Sequence, residues 1–296
     1  MNGTGYSRRV YLSGALFAGI ASFAGRRLAA LGGPDAPPVP PGNRVPIGLE
    51  LYSVRDELAK DLKGTLRAVA GMGFTVVEFF GPYSGWTPAH ARDVRRLMDD
   101  LNLRCLSTHN ESAAFRPETL PKIIELNRIL GAHYVVLVHR ETLPSLDAWK
   151  QDVADLLTAA DTTLAKEGMH AGFHNHEAEW QGMQGQLPME VIARDTPAGV
   201  MLQLDVGTCL KTGNDPVAWI QKHPGRTRSV HLKEWTPQHG YRVVLGDDGT
   251  TPWKELFAAA ESIGGVEYYL LEQEDCDFPP MDAVKRGLAE YWKLQG

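Results

Sequence analysis

From Val45 onward the chain alternates between short apolar runs and longer segments of helical period, and that alternation leaves few folds open. Strand-like runs fall at 45–51, 74–80, 103–109, 133–139, 169–175, 199–205, 227–233 and 266–272. Helix-period segments lie between and after them, at 57–71, 88–101, 117–130, 146–166, 186–195, 214–222, 252–263 and 280–293. Several of these open on an N-cap residue or a proline, as at Thr87-Pro88, Asp215-Pro216 and Thr251-Pro252, and several close on glycine, as at Gly131 and Gly168. Eight strand–helix units in about 250 residues predict a closed parallel (β/α)8 barrel. The near-continuous Val, Ile and Leu of the runs suits a parallel sheet buried on both faces. A doubly wound open sheet would call for a Gly-rich turn after the first strand, and Tyr52-Ser53-Val54-Arg55 is not one. Residues 45–296 therefore read as one domain.

The segment ahead of the barrel has a different character. Ser7-Arg8-Arg9-Val10-Tyr11-Leu12, followed by a weakly apolar stretch, resembles a twin-arginine export signal over residues 1–30. Residues 31–44 are a Pro-rich linker. The expectation is an exported protein, periplasmic or otherwise extracytoplasmic. The apolar run at 12–24 is too short for a stable membrane span. A formal net charge of −6, with no basic run after residue 30, argues against a nucleic-acid surface. Cys105, Cys209 and Cys276 form an odd count without paired spacing, so no disulfide framework or zinc–cysteine site follows.

Functional side chains of such a barrel sit at the C-terminal ends of its strands. Here those ends carry a set of titratable groups. The fifth run ends in His174-Asn175-His176-Glu177, with Glu179 two residues further on; Asp205 ends the sixth, His231 lies in the seventh and Glu272 ends the eighth. Each is roughly one strand–helix unit, about 30 residues, from the next, so they should converge on the barrel mouth. Three carboxylates (Glu179, Asp205, Glu272) and one imidazole (His231) suit a divalent metal: Mn first, with Mg, Co or Zn as alternatives. Which of His174, His176, Glu177 and Glu179 completes the shell stays open at this stage.

The strings GLELYSVRDEL, FTVVEFFG, GFHNHEAEW, LQLDVGT, DPVAWIQKHPGRTRSVHLKEW and VEYYLLEQE, in this order, resemble the xylose-isomerase-like family of sugar (phosphate) isomerases and epimerases. Its relatives include ketose 3-epimerases, inosose dehydratases and the endonuclease IV branch. The resemblance spans about 45–293 and implies a TIM barrel with a metal held by Glu, Asp, His and Glu from strands five to eight. The last three fall on Asp205, His231 and Glu272. At the strand-five position this chain has His174 or Phe173, depending on alignment, so Glu177 or Glu179 would supply the carboxylate from the loop. That departure disfavours symmetric two-glutamate epimerisation and leaves room for isomerase, dehydratase or eliminase chemistry with a histidine base.

The expected reaction is proton abstraction beside a carbonyl, with an enediolate intermediate. His176 or His174 is the candidate base, Glu272 a ligand and proton carrier, and Lys233 the group that neutralises a developing oxyanion. His109, Glu177, Trp180, Trp235 and Tyr52 are candidates for substrate contact; Glu50, Arg55, Glu78, Asn110 and His139 also stand at strand ends. The expected partner is a small carbohydrate, a free sugar, keto-sugar, glycoside or cyclitol, and the reading leaves room for a homo-oligomer. A metal-dependent isomerase or epimerase is the first reading, a lyase or dehydratase the second, and a non-catalytic carbohydrate-binding barrel the third.

Overall fold

The computed structural model describes residues 44–139, 141–247 and 250–296; the export signal and nearly all of the linker read from the sequence lie outside them. Eight strands follow one another around a closed barrel: β1 (Ile47–Glu50), β2 (Val76–Phe79), β3 (Arg104–Asn110), β4 (Tyr134–Val138), β5 (His170–His174), β6 (Met201–Asp205), β7 (Ser229–Leu232) and β8 (Tyr268–Leu271). Every adjacent pair is parallel, and β8 pairs with β1 through Ile47–Tyr269, Gly48–Leu270 and Leu49–Leu271, closing the ring. Each strand lies inside the run expected for it, except that β3 extends one residue further, to Asn110.

Period two sorts every strand between lumen and helical coat. Val77, Phe79, Val135, Leu137, Leu202, Leu204, Val230, Tyr269 and Leu271 belong to the large core between strands and helices. Their alternates Val76, Tyr134, Val136, Met201, Tyr268 and Leu270 form a separate apolar cluster within the barrel. Gly48 belongs to this lower layer: a Cβ there would come within 2.7 Å of Val76. One step toward the C-terminal rim, the same register turns polar, and Glu50, Glu78, His109, His174, Gln203, Asp205 and His231 are all buried. An apolar plug below and a polar layer above place the chemistry at that rim.

The coat departs from the sequence reading in detail. The segment expected as one helix over 57–71 is two, Arg55–Lys60 and Leu62–Met72, because Asp61 takes an extended conformation and its side chain caps the second through Gly64 N at 2.9 Å. The 146–166 segment is helical but passes through a π-helical stretch at Lys150–Ala154. A short helix not read from the sequence, Val206–Lys211, starts directly after β6 with Asp205 as its N-cap. No helix among the described residues is long and apolar enough to cross a membrane.

Candidate metal and catalytic site

His174, Asp205, His231 and Glu272 turn one ligand atom each into a shared space, all within 4.8 Å of one another. Three come from inward positions of β5, β6 and β7, and Glu272 directly follows β8. His231 Nδ1 is 2.5 Å from Glu272 Oε2, and His174 Nε2 is 3.8 Å from Asp205 Oδ2. Asp205 Oδ1 accepts the backbone N–H of Thr208, whereas the buried Oδ2 has no hydrogen-bond partner. Two imidazole nitrogens and two carboxylates, one of them with an unsatisfied buried oxygen, make a donor set that fits a divalent cation.

Two anionic and cationic centres flank this set. Glu78 is fully buried on β2, with one oxygen 2.9 Å from both His109 Nε2 and His231 Nε2. Burial alone would raise its carboxyl; the charge of His109 and hydrogen bonds from both rings outweigh it and hold Glu78 well below the usual carboxylate range. Burial would likewise lower His231, but the hydrogen bonds it donates to Glu272 and Glu78, and their charges, push it up to about 10. His174 goes the other way: burial and the neighbouring imidazoles keep it neutral, well below the usual histidine value. Lys233 Nζ lies 3.4 Å from Asp205, 3.1 Å from Glu272 and 3.0 Å from Glu274. These carboxylates overcome the effect of burial and hold Lys233 charged, and Lys233 with His231 overcomes the burial of Glu272 and keeps it ionised. Glu50 goes up: burial and the charges of Glu272 and Glu78 push its carboxyl well above the ordinary value, against the lowering effects of His231 and of the Tyr52 N–H.

The cleft above these groups, about 300 Å³, is lined by Glu50, Tyr52, Phe80, His109, His174, His176, Glu272 and Glu274 among others. Tyr52 and His109, both candidates for substrate contact, line this cleft. His176 presents its ring to the same cleft, 5.0 Å from His174, and donates Nδ1–H to the His139 carbonyl at 3.1 Å. Lys233 is not among the residues that line the cleft; its ammonium lies against Asp205, Glu272 and Glu274.

Other expected residues sit elsewhere. Glu179 does not join the cation-facing set. The chain winds through a short 3-10 turn at Ala178–Trp180, and Glu179 Oε2 reaches back to accept His176 N at 2.7 Å. His174, one inward step from Gly172, occupies the strand-five place instead. Glu177 accepts hydrogen bonds from Lys211 Nζ and Tyr241 Oη, both at 2.7 Å, outside the cleft. Trp180 is buried edge-on against Trp219, at 4.9 Å, and packs the core. Trp235 is half-buried and does not line the cleft. Gln203 and the central place of Glu78 were not read from the sequence; the signal was present in the period of two, which puts Gln203 on the same lumen face as Asp205.

The position of Glu179 has a measurable consequence. Burial pushes its carboxyl from 4.5 up to about 7, against the lowering effect of the His176 N–H. A raised carboxyl contributes stability that is complete below the unfolded value and is lost as pH rises through 7. The span corresponds to about 3 kcal/mol at most. Glu179→Gln is expected to remove part of the fall in melting temperature between pH 5 and pH 8, the rest including the share of Glu274, which burial also raises to about 7; an unaltered pH dependence would contradict the assignment.

Comparison with known proteins agrees with this fold. The chain belongs to the xylose isomerase-like TIM barrel family, whose model matches residues 66–293. An inosose dehydratase of Geobacillus thermodenitrificans is 24% identical over 165 residues, covering 50% of this chain and 54% of that protein, so the match spans about half the length of this curated relative. Among solved structures, a sugar phosphate isomerase/epimerase from Parabacteroides distasonis superposes with a TM-score of 0.71 at 24% identity, covering 83% of this chain and 92% of the other. A second protein of the same description and organism gives 0.70 at 25% identity over 84% and 98%.

Proposed function

We propose that this protein is a divalent-metal-dependent enzyme that removes a proton beside the carbonyl of a small carbohydrate, acting as an isomerase. The observation that carries the reading is the meeting of the His174, Asp205, His231 and Glu272 donors beneath a cleft whose wall holds a histidine with a fixed tautomer. When bound, a divalent ion would polarise the substrate carbonyl and make the adjacent C–H more acidic. His174, Asp205, His231 and Glu272 would hold it.

The chain's own groups supply the rest. Because the Nδ1–H of His176 is committed to a carbonyl, its basic lone pair lies on Nε2, and His176 is the base. Glu50, ending β1 across the barrel from β5, lines the same cleft with its carboxyl raised well above the ordinary value by burial, and can return the proton. That pairing also favours a second reading, elimination: His176 takes the proton and Glu50 protonates a departing hydroxyl or alkoxide, giving a lyase or dehydratase. Retention of a histidine in place of a strand-five glutamate supports both over symmetric epimerisation. The export segment, if used, favours an unphosphorylated substrate.

Incubation with Mn(II) and a panel of free sugars, keto-sugars and cyclitols in deuterated water tests the reading. Deuterium should enter carbon beside the carbonyl, with an isomeric product for the first reading and loss of water or an alcohol for the second. His176→Ala should lower turnover by about 10²–10⁴-fold while retaining the metal. Loss of the ion from that variant would make His176 a ligand and refute its role as base.

A further inference from the structure

Resting on the cation reading above, we propose that Glu78 and Gln203 are a positioning pair: Glu78 orients the Gln203 amide and holds a hydrogen on His231 Nε2, and Gln203 fixes the tautomer of His174, so that His231 Nδ1 and His174 Nε2 are the ring atoms turned toward Glu272 and Asp205. Both side chains are completely buried in the lumen. The assignment follows from which atoms can donate. The Glu78 carboxylate only accepts, and four groups converge on it: His109 Nε2 and His231 Nε2 at one oxygen, Gln203 Nε2 at 3.0 Å and the Ser107 hydroxyl at the other. Each must bring a hydrogen. Nε2 of His231 therefore keeps its hydrogen, and Nδ1, which donates to the accept-only Glu272 carboxylate in the cation-free protein, is the nitrogen left to give up its hydrogen to a cation.

The same reasoning passes through the amide. With its nitrogen directed at Glu78 and Ser229, Gln203 must turn Oε1 the other way, where His109 Nε2 lies at 2.8 Å and His174 Nδ1 at 3.1 Å. An amide oxygen accepts only, so His174 carries its hydrogen on Nδ1 and its lone pair on Nε2, the atom nearest Asp205 Oδ2. The two rings thus present opposite nitrogens to one space, Nδ1 from β7 and Nε2 from β5. Neither choice is the histidine's own; Glu78 makes one directly and the other through Gln203. Outer hydrogen bonds of this kind fix ring orientation and ligand basicity at metal sites.

The pair is tested on the full chain, labelled with 15N-histidine and free of metal, by long-range 1H–15N correlation spectra that distinguish the two ring nitrogens. His174 of the unsubstituted protein should show a protonated Nδ1 and an unprotonated Nε2; Gln203→Leu should release or reverse that preference. Titration with Mn(II) alone, followed by calorimetry, should show affinity reduced about 10–100-fold in Gln203→Leu and in Glu78→Gln, the latter because an amide at 78 turns a donor toward either Gln203 or the two rings. A protonated Nε2 on His174 in the unsubstituted protein, or unchanged Mn(II) affinity in folded Gln203→Leu, would overturn the pair. The spectrum of the unsubstituted protein decides the matter even if neither variant folds. Failure of the unsubstituted protein to take up Mn(II), with His174 still protonated on Nδ1, would instead sink the cation reading and leave the tautomer assignment standing.

Discussion

Replacing Asp205 with asparagine should abolish retention of a divalent ion while leaving the barrel folded. The two oxygens of this carboxylate have separate tasks: Oδ1 caps the helix Val206–Lys211 through Thr208 N at 2.9 Å, and Oδ2 faces the cation space without a hydrogen bond. Asparagine keeps the cap, whose loss would otherwise cost about 1 kcal/mol. It places a neutral amide nitrogen where the free oxygen stood, with Lys233 Nζ at 3.4 Å and able only to donate. The metal-dependent step loses several kcal/mol of stabilisation, so turnover should fall roughly 10³-fold or more. Elemental analysis of the purified variant and its melting temperature check the two halves separately. Ion content equal to that of the unsubstituted protein would refute the ligand assignment, and collapse of the fold would show that the cap had been misjudged.

Lys233→Met should destabilise the metal-free protein severely, and added Mn(II) should restore much of the loss. Three carboxylates, Asp205, Glu272 and Glu274, share this one ammonium, which is almost completely buried. Removing one partner from a buried charge cluster typically costs about 3–5 kcal/mol because the remaining charges are left unpaired. For a domain of this size that is on the order of 10 °C in melting temperature. The sign with pH follows from the raised value of Lys233: its contribution is complete below the unfolded lysine value of about 10.4 and is lost only as pH climbs through the higher folded value, so the full deficit should appear at neutrality. A cation held by Asp205 and Glu272 replaces part of the missing charge. A variant as stable as the parent, or one indifferent to Mn(II), would show that Lys233 does not balance this site.

The barrel was legible in the sequence because its strands are short, doubly buried and therefore apolar almost throughout, and because Thr87-Pro88 and Asp215-Pro216 mark helix starts that the structure confirms through caps to His90 N and to Val217 N and Ala218 N. Asp205, His231 and Glu272 were legible for a related reason: each polar residue interrupts or ends a run at the rim. The helix Val206–Lys211 was not, since six residues beginning Val206-Gly207 are too few to show a helical period. Glu179 illustrates a different limit. Its distance from β5 suits a ligand, but the i+3 spacing to His176 also suits a backbone cap, and the 3-10 turn selects the cap. His174 then takes the place, a choice that alternation from Gly172 predicts once the strand end is known. Glu78 and Gln203 lie deeper than the rim, where sequence reasoning looks for packing rather than chemistry.

The central claim is that one cation sits among His174, Asp205, His231 and Glu272 at the C-terminal rim of the barrel. An anomalous-difference map from crystals grown with Mn(II) tests it most directly. The account predicts a single strong peak within bonding distance of His174 Nε2, Asp205 Oδ2, His231 Nδ1 and a Glu272 oxygen. A peak held instead by Glu50, Glu78 and His109, or no peak in the lumen, would contradict it.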